Sequence, residues 1–403
     1  MVDTFKFRRL ATLSAVGVLV LTAACGGDGD EGGSDSKEPL RIFMSQGETG
    51  LLAPSAKAVT RGAEAAVAHL NEEGGLDGRQ IEITKQDNQS DPTRGVTLVQ
   101  DAVTGDNPPD LVIPGVSSNE ALAAAPLLSR SKVVGISPAS SEALNDPEKY
   151  PYFFAQSALQ SDILKAVAAF LKEQPGGVDK VAFVGPDDAL GDAIGTELGG
   201  AFDDAGIEYS EHRFKADAVD VTPAFQAAVA TGADWIYMDA PGTQAGTLLS
   251  SRVKAGAEDV PTIAGVVAGS QPLLDLAGDT NQMDNVSLVY LPTQAWVPED
   301  ERSEQFKAFF SGVKEQGDIE VALSTYAAGW DSVMLWADAV KQVDGDITAE
   351  AVREELMDLS EDHDRLFYRV TFTEESNFVQ AQPDEFKIGE PVSIEDGMFK
   401  IAQ

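Results

Sequence analysis

Cysteine and histidine are scarce in this 403-residue chain, and positive charge is scarce beside negative. The single cysteine, Cys25, excludes an intramolecular disulfide. The three histidines, His69, His212 and His363, fall on separate predicted elements, and none sits in HExxH or another metal spacing. A G-x-S-x-G elbow and a P-loop are missing as well. Catalysis, a resident metal and a cofactor are therefore not expected. Lysine and arginine number 29 against 66 aspartates and glutamates, a net charge of −37. Phosphate backbones are bound by clustered Lys and Arg, so nucleic acid is not an expected partner. Adsorption to anionic lipid is disfavoured for the same reason. The acidity reads most simply as solubility or adaptation to salt.

The N-terminus concentrates what basic charge it has. Lys6, Arg8 and Arg9 precede an uncharged run over residues 10–24. That run is short for a bilayer span and has the length of a signal-peptide core. It ends in Leu21-Thr22-Ala23-Ala24-Cys25, which resembles the lipobox of exported lipoproteins, with Thr22 where Leu is usual. The alternative is an ordinary cleaved signal with an incidental cysteine, but the sole thiol stands where lipid chemistry needs it. Residues 1–24 thus read as a lipoprotein signal peptide and Cys25 as the lipidated residue. Residues 25–39 read as a flexible acidic Gly/Ser linker, which as a coil tethers the folded part roughly 20 Å from the anchor. Without residues 1–24, three basic residues and Asp3 fewer, 26 basic residues face 65 acidic ones, net −39. The expected membrane contact is the acyl chain alone.

Apolar strands alternate with amphipathic helices through the rest of the chain, the pattern of parallel sheets covered by helices on both faces. Strands are expected at 40–44, 80–84, 111–113 and 133–136, with helices at 55–70, 93–104 and 119–129 between them. A second set has strands at 181–184, 207–213, 235–238 and 262–264. Its helices fall at 161–173, 191–204, 222–231 and 244–255. Ala56, Val59, Ala63, Ala66, Val67 and Leu70 mark one face of the first helix. Roughly 365 residues suffice for two lobes with separate cores. The fold class is α/β, as two Rossmann-like lobes.

Two turns of the first lobe can hold an anion. Gly115-Val116-Ser117-Ser118 follows a buried strand and opens a helix, and Ser137-Pro138-Ala139-Ser140-Ser141 follows the next strand. Hydroxyls and N–H groups at such starts suit a carboxylate, and strand C-terminal ends are where open sheets bind ligands. The competing reading is that Ser118 and Ser141 only cap helices. Trp330 reads as core, since Tyr326, Trp330 and Val333 share helical spacing. Tyr237, inside a strand, reads as structural too.

The segment Arg61-Gly62-Ala63-Glu64-Ala65-Ala66 leads to Asn71-Glu72-Glu73-Gly74-Gly75-Leu76-Asp77-Gly78-Arg79. With Asp87, Asp91-Pro92, the stretch 133–141, and Tyr326 with Asp331, it resembles the branched-chain amino-acid receptors of ABC transporters. The resemblance runs from about Leu40 to the C-terminus and implies the type I periplasmic-binding fold with three crossings between lobes. These are placed near 156, 291 and 366. Lobe one is then 40–156 plus 292–366, and lobe two 157–291 plus 367–403, closing on ligand as a hinge.

The resemblance also implies a site. Ser118, Ala139 and Ser141 match residues that hold a ligand's α-carboxylate and orient its α-ammonium, with Val116 and Ser117 on the same wall and Ser140 a further candidate in the second turn. Ser55 and Leu190 stand where the family has aromatics, and Val266 where it has the acid that pairs with the ammonium. Asp239 either replaces that acid or caps the next helix. The implied function is an extracytoplasmic, lipid-anchored solute receptor. It hands an amino acid, small organic acid or amide to ABC permease subunits. The alternative is a ligand-sensing module that signals to a membrane partner.

Overall fold

The computed structural model describes residues 37–401 apart from 216, 241–243, 267–280, 292–293, 360–365, 367–371, 380 and 382–384. The chain begins with β1 (Leu40–Gln46), α1 (Ala53–Glu72), β2 (Ile81–Asp87) and α2 (Pro92–Thr104). It continues through β3 (Leu111–Ile113), α3 (Ser118–Ser131), β4 (Val134–Ser137) and β5 (Phe153–Ala158). Helix α2 starts where it does because the Asp91 carboxylate accepts from the Thr93 and Arg94 amides and Pro92 needs no acceptor. Together with β11 (Phe378–Val379) these strands form a fully parallel sheet in the order β11-β5-β4-β3-β1-β2.

The second sheet repeats the plan. It follows α4 (Gln160–Lys172), β6 (Lys180–Pro186), α5 (Ala189–Ala205), β7 (Glu208–Phe214), α6 (Thr222–Ala230), β8 (Trp235–Met238), α7 (Gln244–Lys254), β9 (Thr262–Ala264) and β10 (Val286–Tyr290). Its order is β12-β10-β9-β8-β6-β7, where β12 (Lys387–Gly389) is the one antiparallel member. Each sheet has buried side chains on both faces, so each lobe has its own core. The expected elements up to residue 264 all occur, with ends that differ by a few residues.

Three helices return to the first lobe: α8 (Glu304–Glu315), α9 (Leu323–Gln342) and α10 (Ala349–Met357). Helix α9 is apolar on nearly every face because it is buried against α1. The two backbones touch. A Cβ on Gly62 would lie 1.8 Å from the Tyr326 carbonyl oxygen, and one on Gly329 1.9 Å from that of Val59. Beside this crossing, Arg61 donates to the carbonyls of Val313, Gly317 and Asp318 and holds the end of α8. Trp330 is fully buried there and stacks on His69 at 5.5 Å.

Sheet membership moves one crossing. The third was expected near 366, yet the Leu366 amide donates to Asp331 on α9, and Phe378 and Val379 still pair with β5. The chain therefore passes to the second sheet between Val379 and Lys387. A two-residue strand has too little alternation to be read from sequence. The final elements, β13 (Pro391–Glu395) and β14 (Met398–Ile401), make a separate hairpin.

Candidate functional site

All ten pocket candidates lie just beyond C-terminal ends of parallel strands. Ser55 follows β1, Val116 to Ser118 follow β3, and Ala139 to Ser141 follow β4. Leu190 follows β6, Asp239 β8 and Val266 β9. This is the edge at which open α/β sheets take ligands. No Lys or Arg belongs to these turns, so an anion bound there meets hydroxyls, amides and helix N-termini instead.

The first serine turn is set by a capping box. Ser117 caps α3, accepting from the Glu120 amide at 3.3 Å and donating to Glu120 Oε2 at 2.7 Å. The same carboxylate oxygen accepts from the Val116 and Ser117 amides at 3.1 and 3.0 Å. Its other oxygen takes the Asn88 side-chain amide at 2.6 Å. Glu120 is buried and these donors converge on it, so Ser117 and the Val116 amide serve the fold. Glu120 is not among the residues expected at the site, although its Ser-x-x-Glu spacing from Ser117 is that of a capping box.

Ser118 is placed differently. As the first residue of α3 it accepts the Ser140 amide on its Oγ at 3.3 Å, which brings the two serine turns together. Ser141 opens a short 3-10 turn over Glu142–Leu144 and makes no side-chain cap, so capping does not account for its hydroxyl. Ala139 is buried at the turn's root, its amide donating to Ser137 Oγ. The second turn is also tied to the passage between lobes. Ser140 C=O accepts from Gln160 N–H at 3.2 Å and Ser157 Oγ donates to the Pro138 carbonyl at 2.8 Å. Ser55 is half-buried in the first turn of α1.

The second lobe offers a different surface. Leu190 is half-buried, its amide donating to the capping Asp188 at 3.0 Å. Val266 is 37% exposed. Asp239 is buried against Tyr237: a Cβ on Gly265 would fall 2.0 Å from Asp239 Oδ2 and 2.5 Å from the Tyr237 hydroxyl. Burial, and then the Asp239 carboxylate beside it, push the Tyr237 hydroxyl well above the usual phenol range. The Asp239 carboxylate is thus turned inward onto Tyr237. The packing of Tyr237 beside it has no signal in the sequence. Helix α7 is described from Gln244, and 241–243 lie outside the described residues. Cys25 lies outside them too.

A family model for periplasmic binding proteins matches residues 39–382. The chain belongs to that family. Members are ligand-binding receptors rather than enzymes and work outside the cytoplasm. This receptor has the type I periplasmic-binding fold and is similar to the branched-chain amino acid transporter substrate binding protein LivJ from Streptococcus pneumoniae. That structure, in complex with isoleucine, is 20% identical with a TM-score of 0.71 and covers 88% of this chain and 100% of its own. The leucine binding protein LivK from Thermotoga maritima gives 16% and 0.75, covering 90% and 98%. A fatty acid ABC transporter substrate-binding protein from Thermomonospora curvata gives 18% and 0.75, covering 91% and 92%. No curated protein matches the chain.

Proposed function

We propose that this receptor is lipid-anchored through Cys25, serves an ABC importer, and binds a small carboxylate or amide between its lobes. The ligand class is an amino acid or a related acid, with the permease subunits as partners. The observation that carries the reading is the junction of the two serine turns, where the Ser140 amide meets Ser118 Oγ and Ser141 keeps an uncapped hydroxyl. A carboxylate at that junction also gains the N-terminal field of α3. The ligands named for the three neighbours, isoleucine, leucine and fatty acid, share a carboxylate on an aliphatic group, and the ammonium is not common to all. In this chain Val266 and Leu190 supply no charge to an ammonium. A missing charged acceptor lowers affinity by about ten- to a hundredfold.

Calorimetry with leucine, its deaminated keto acid and the matched amide tests the reading. One ligand should bind per chain and be recovered unchanged, and Ser118→Ala and Ser141→Ala should each weaken the acid by about tenfold. If both variants leave every affinity unchanged, the site lies elsewhere.

A further inference from the structure

Among the described residues four large apolar side chains are exposed: Leu51, Val219 and Val392 by well over half, and Val266 by about a third. Two of them, Leu51 and Val266, belong to turns at the C-terminal ends of β1 and β9, on opposite lobes and on the edge that carries the candidate site. Leu51 is 68% exposed, yet its turn is pinned. Ser90 Oγ accepts from the Leu52 amide and donates to the Thr49 carbonyl, both at 3.1 Å. Gly50, at φ +96°, packs so tightly on the 88–91 turn that a Cβ would come within 2.4 Å of the Gln89 carbonyl oxygen. A leucine presented to water from a fixed turn gains when an apolar group covers it.

Two half-buried aliphatic residues lie on the same edge. Val116 follows β3 in the first lobe and Leu190 follows β6 in the second, each on the fringe of its core. Several carboxylates close to them in the chain are engaged, and Asp192 faces Arg213 at 3.4 Å, while Asp187 is exposed in the turn after β6. Glu120 holds the Val116 and Ser117 amides, Asp188 caps α5, and Glu48 accepts from Thr60 Oγ1 at 3.0 Å. Asp239 is packed on Tyr237.

We propose that the ligand is an amphipathic monocarboxylate whose aliphatic tail lies on a neutral wall of Leu51 and Val116 from one lobe and Leu190 and Val266 from the other. The inference rests on the serine-turn reading of the site and extends it to the other end of the ligand. Leu51 and Val266 determine specificity: Leu51 sets how much tail is covered, and Val266 excludes the ammonium.

The test is calorimetry on straight-chain monocarboxylates from butanoate to dodecanoate, kept below micelle-forming concentrations. Each is compared with its α-amino acid. Affinity should rise about two- to fourfold per methylene until the tail outruns the wall. Leu51→Asp should flatten that rise, while Ser118→Ala weakens all lengths alike. Val266→Glu should shift preference towards the α-amino acids by about tenfold or more. Acids that bind with Ser118 dependence but no length dependence would overturn the tail wall and leave the serine site standing. An α-amino acid that outbinds its parent acid in the unaltered protein would overturn it as well. Failure of every acid to bind would bring down the carboxylate reading itself.

Discussion

Met398 and Phe399 are neighbours in one strand and are buried in different lobes, Met398 in the core around α8 and α9 and Phe399 in the core around β8 to β10. The strand's alternation sends successive side chains to opposite faces, and here the two faces belong to two bodies. The hairpin is tied to both. The Gly397 carbonyl accepts from Leu323 N–H and Asp396 pairs with Lys314 at 3.0 Å, while β13 lies beside β10. The Phe399 carbonyl takes the Trp296 amide at 2.9 Å. Any movement of one lobe against the other would bend or slide this strap.

Gly397 is the position that tests the docking. Its φ of +74° suits glycine, and a Cβ there would lie 2.6 Å from Ile319 Cγ2 and 2.8 Å from the Leu323 amide nitrogen. Gly397→Ala should cost about 1–3 kcal/mol in denaturant unfolding. A variant as stable as the parent would show that the hairpin turn is not held against the first lobe.

Glu120 should matter more than any serine for the shape of the first turn. Glu120→Gln keeps the volume but replaces an acceptor for the Val116 and Ser117 amides or for Asn88 with a donor. A loss of about 1.5–3 kcal/mol in unfolding free energy is expected. Weaker carboxylate binding should accompany it, because Ser118 then loses its frame. Unchanged stability and binding would remove Glu120 from this role.

Much of this architecture was readable in the chain. The helix expected over 55–70 runs Ala53–Glu72, and the serine turns follow the buried strands that announce them. What escaped was short or made by distant approach. Strand β5 lies in an aromatic run with little alternation, and β11 is two residues long. The surroundings of Asp239 depend on Gly265, whose missing Cβ leaves room for the carboxylate against Tyr237. No local pattern announces a contact between residues on different strands.

His212 gives a pH test. It sits half-buried in β7, its Nε2 3.1 Å from Ser210 Oγ, and burial, followed by the charge of Lys180, lowers its pKa below the usual 6.5. The folded state therefore resists protonation. This contribution to stability is complete above pH 6.5 and is lost as pH falls through the folded pKa. Melting temperatures of His212→Phe should fall less than those of the parent between about pH 7.5 and pH 5. Equal falls would mean that the imidazole stays solvated.

The proposed anchor is tested at Cys25. Cys25→Ser should release the protein into the soluble fraction or leave its signal uncleaved, because no other thiol is available for acylation. A mutant that is processed and still membrane-bound after fractionation would point to a different anchor.

Hydrogen bonds join the candidate site to the first passage between the lobes. The second serine turn is fastened to the first passage between lobes by the Ser140–Gln160 backbone bond, the Ser157–Pro138 bond and the Ser161 amide on Glu142 at 3.4 Å. A carboxylate that draws Ser118 and Ser141 together would therefore pull on the segment about which a hinge closure would rotate. Saturating ligand should lower the radius of gyration in small-angle scattering. Ser157→Ala removes one fastening without touching the proposed ligand contacts. It should weaken binding by about three- to tenfold if turn and hinge move as one. An unchanged radius in the parent would mean a rigid pocket. A normal radius change with unaltered affinity in Ser157→Ala would mean that the lobes close without help from the turn.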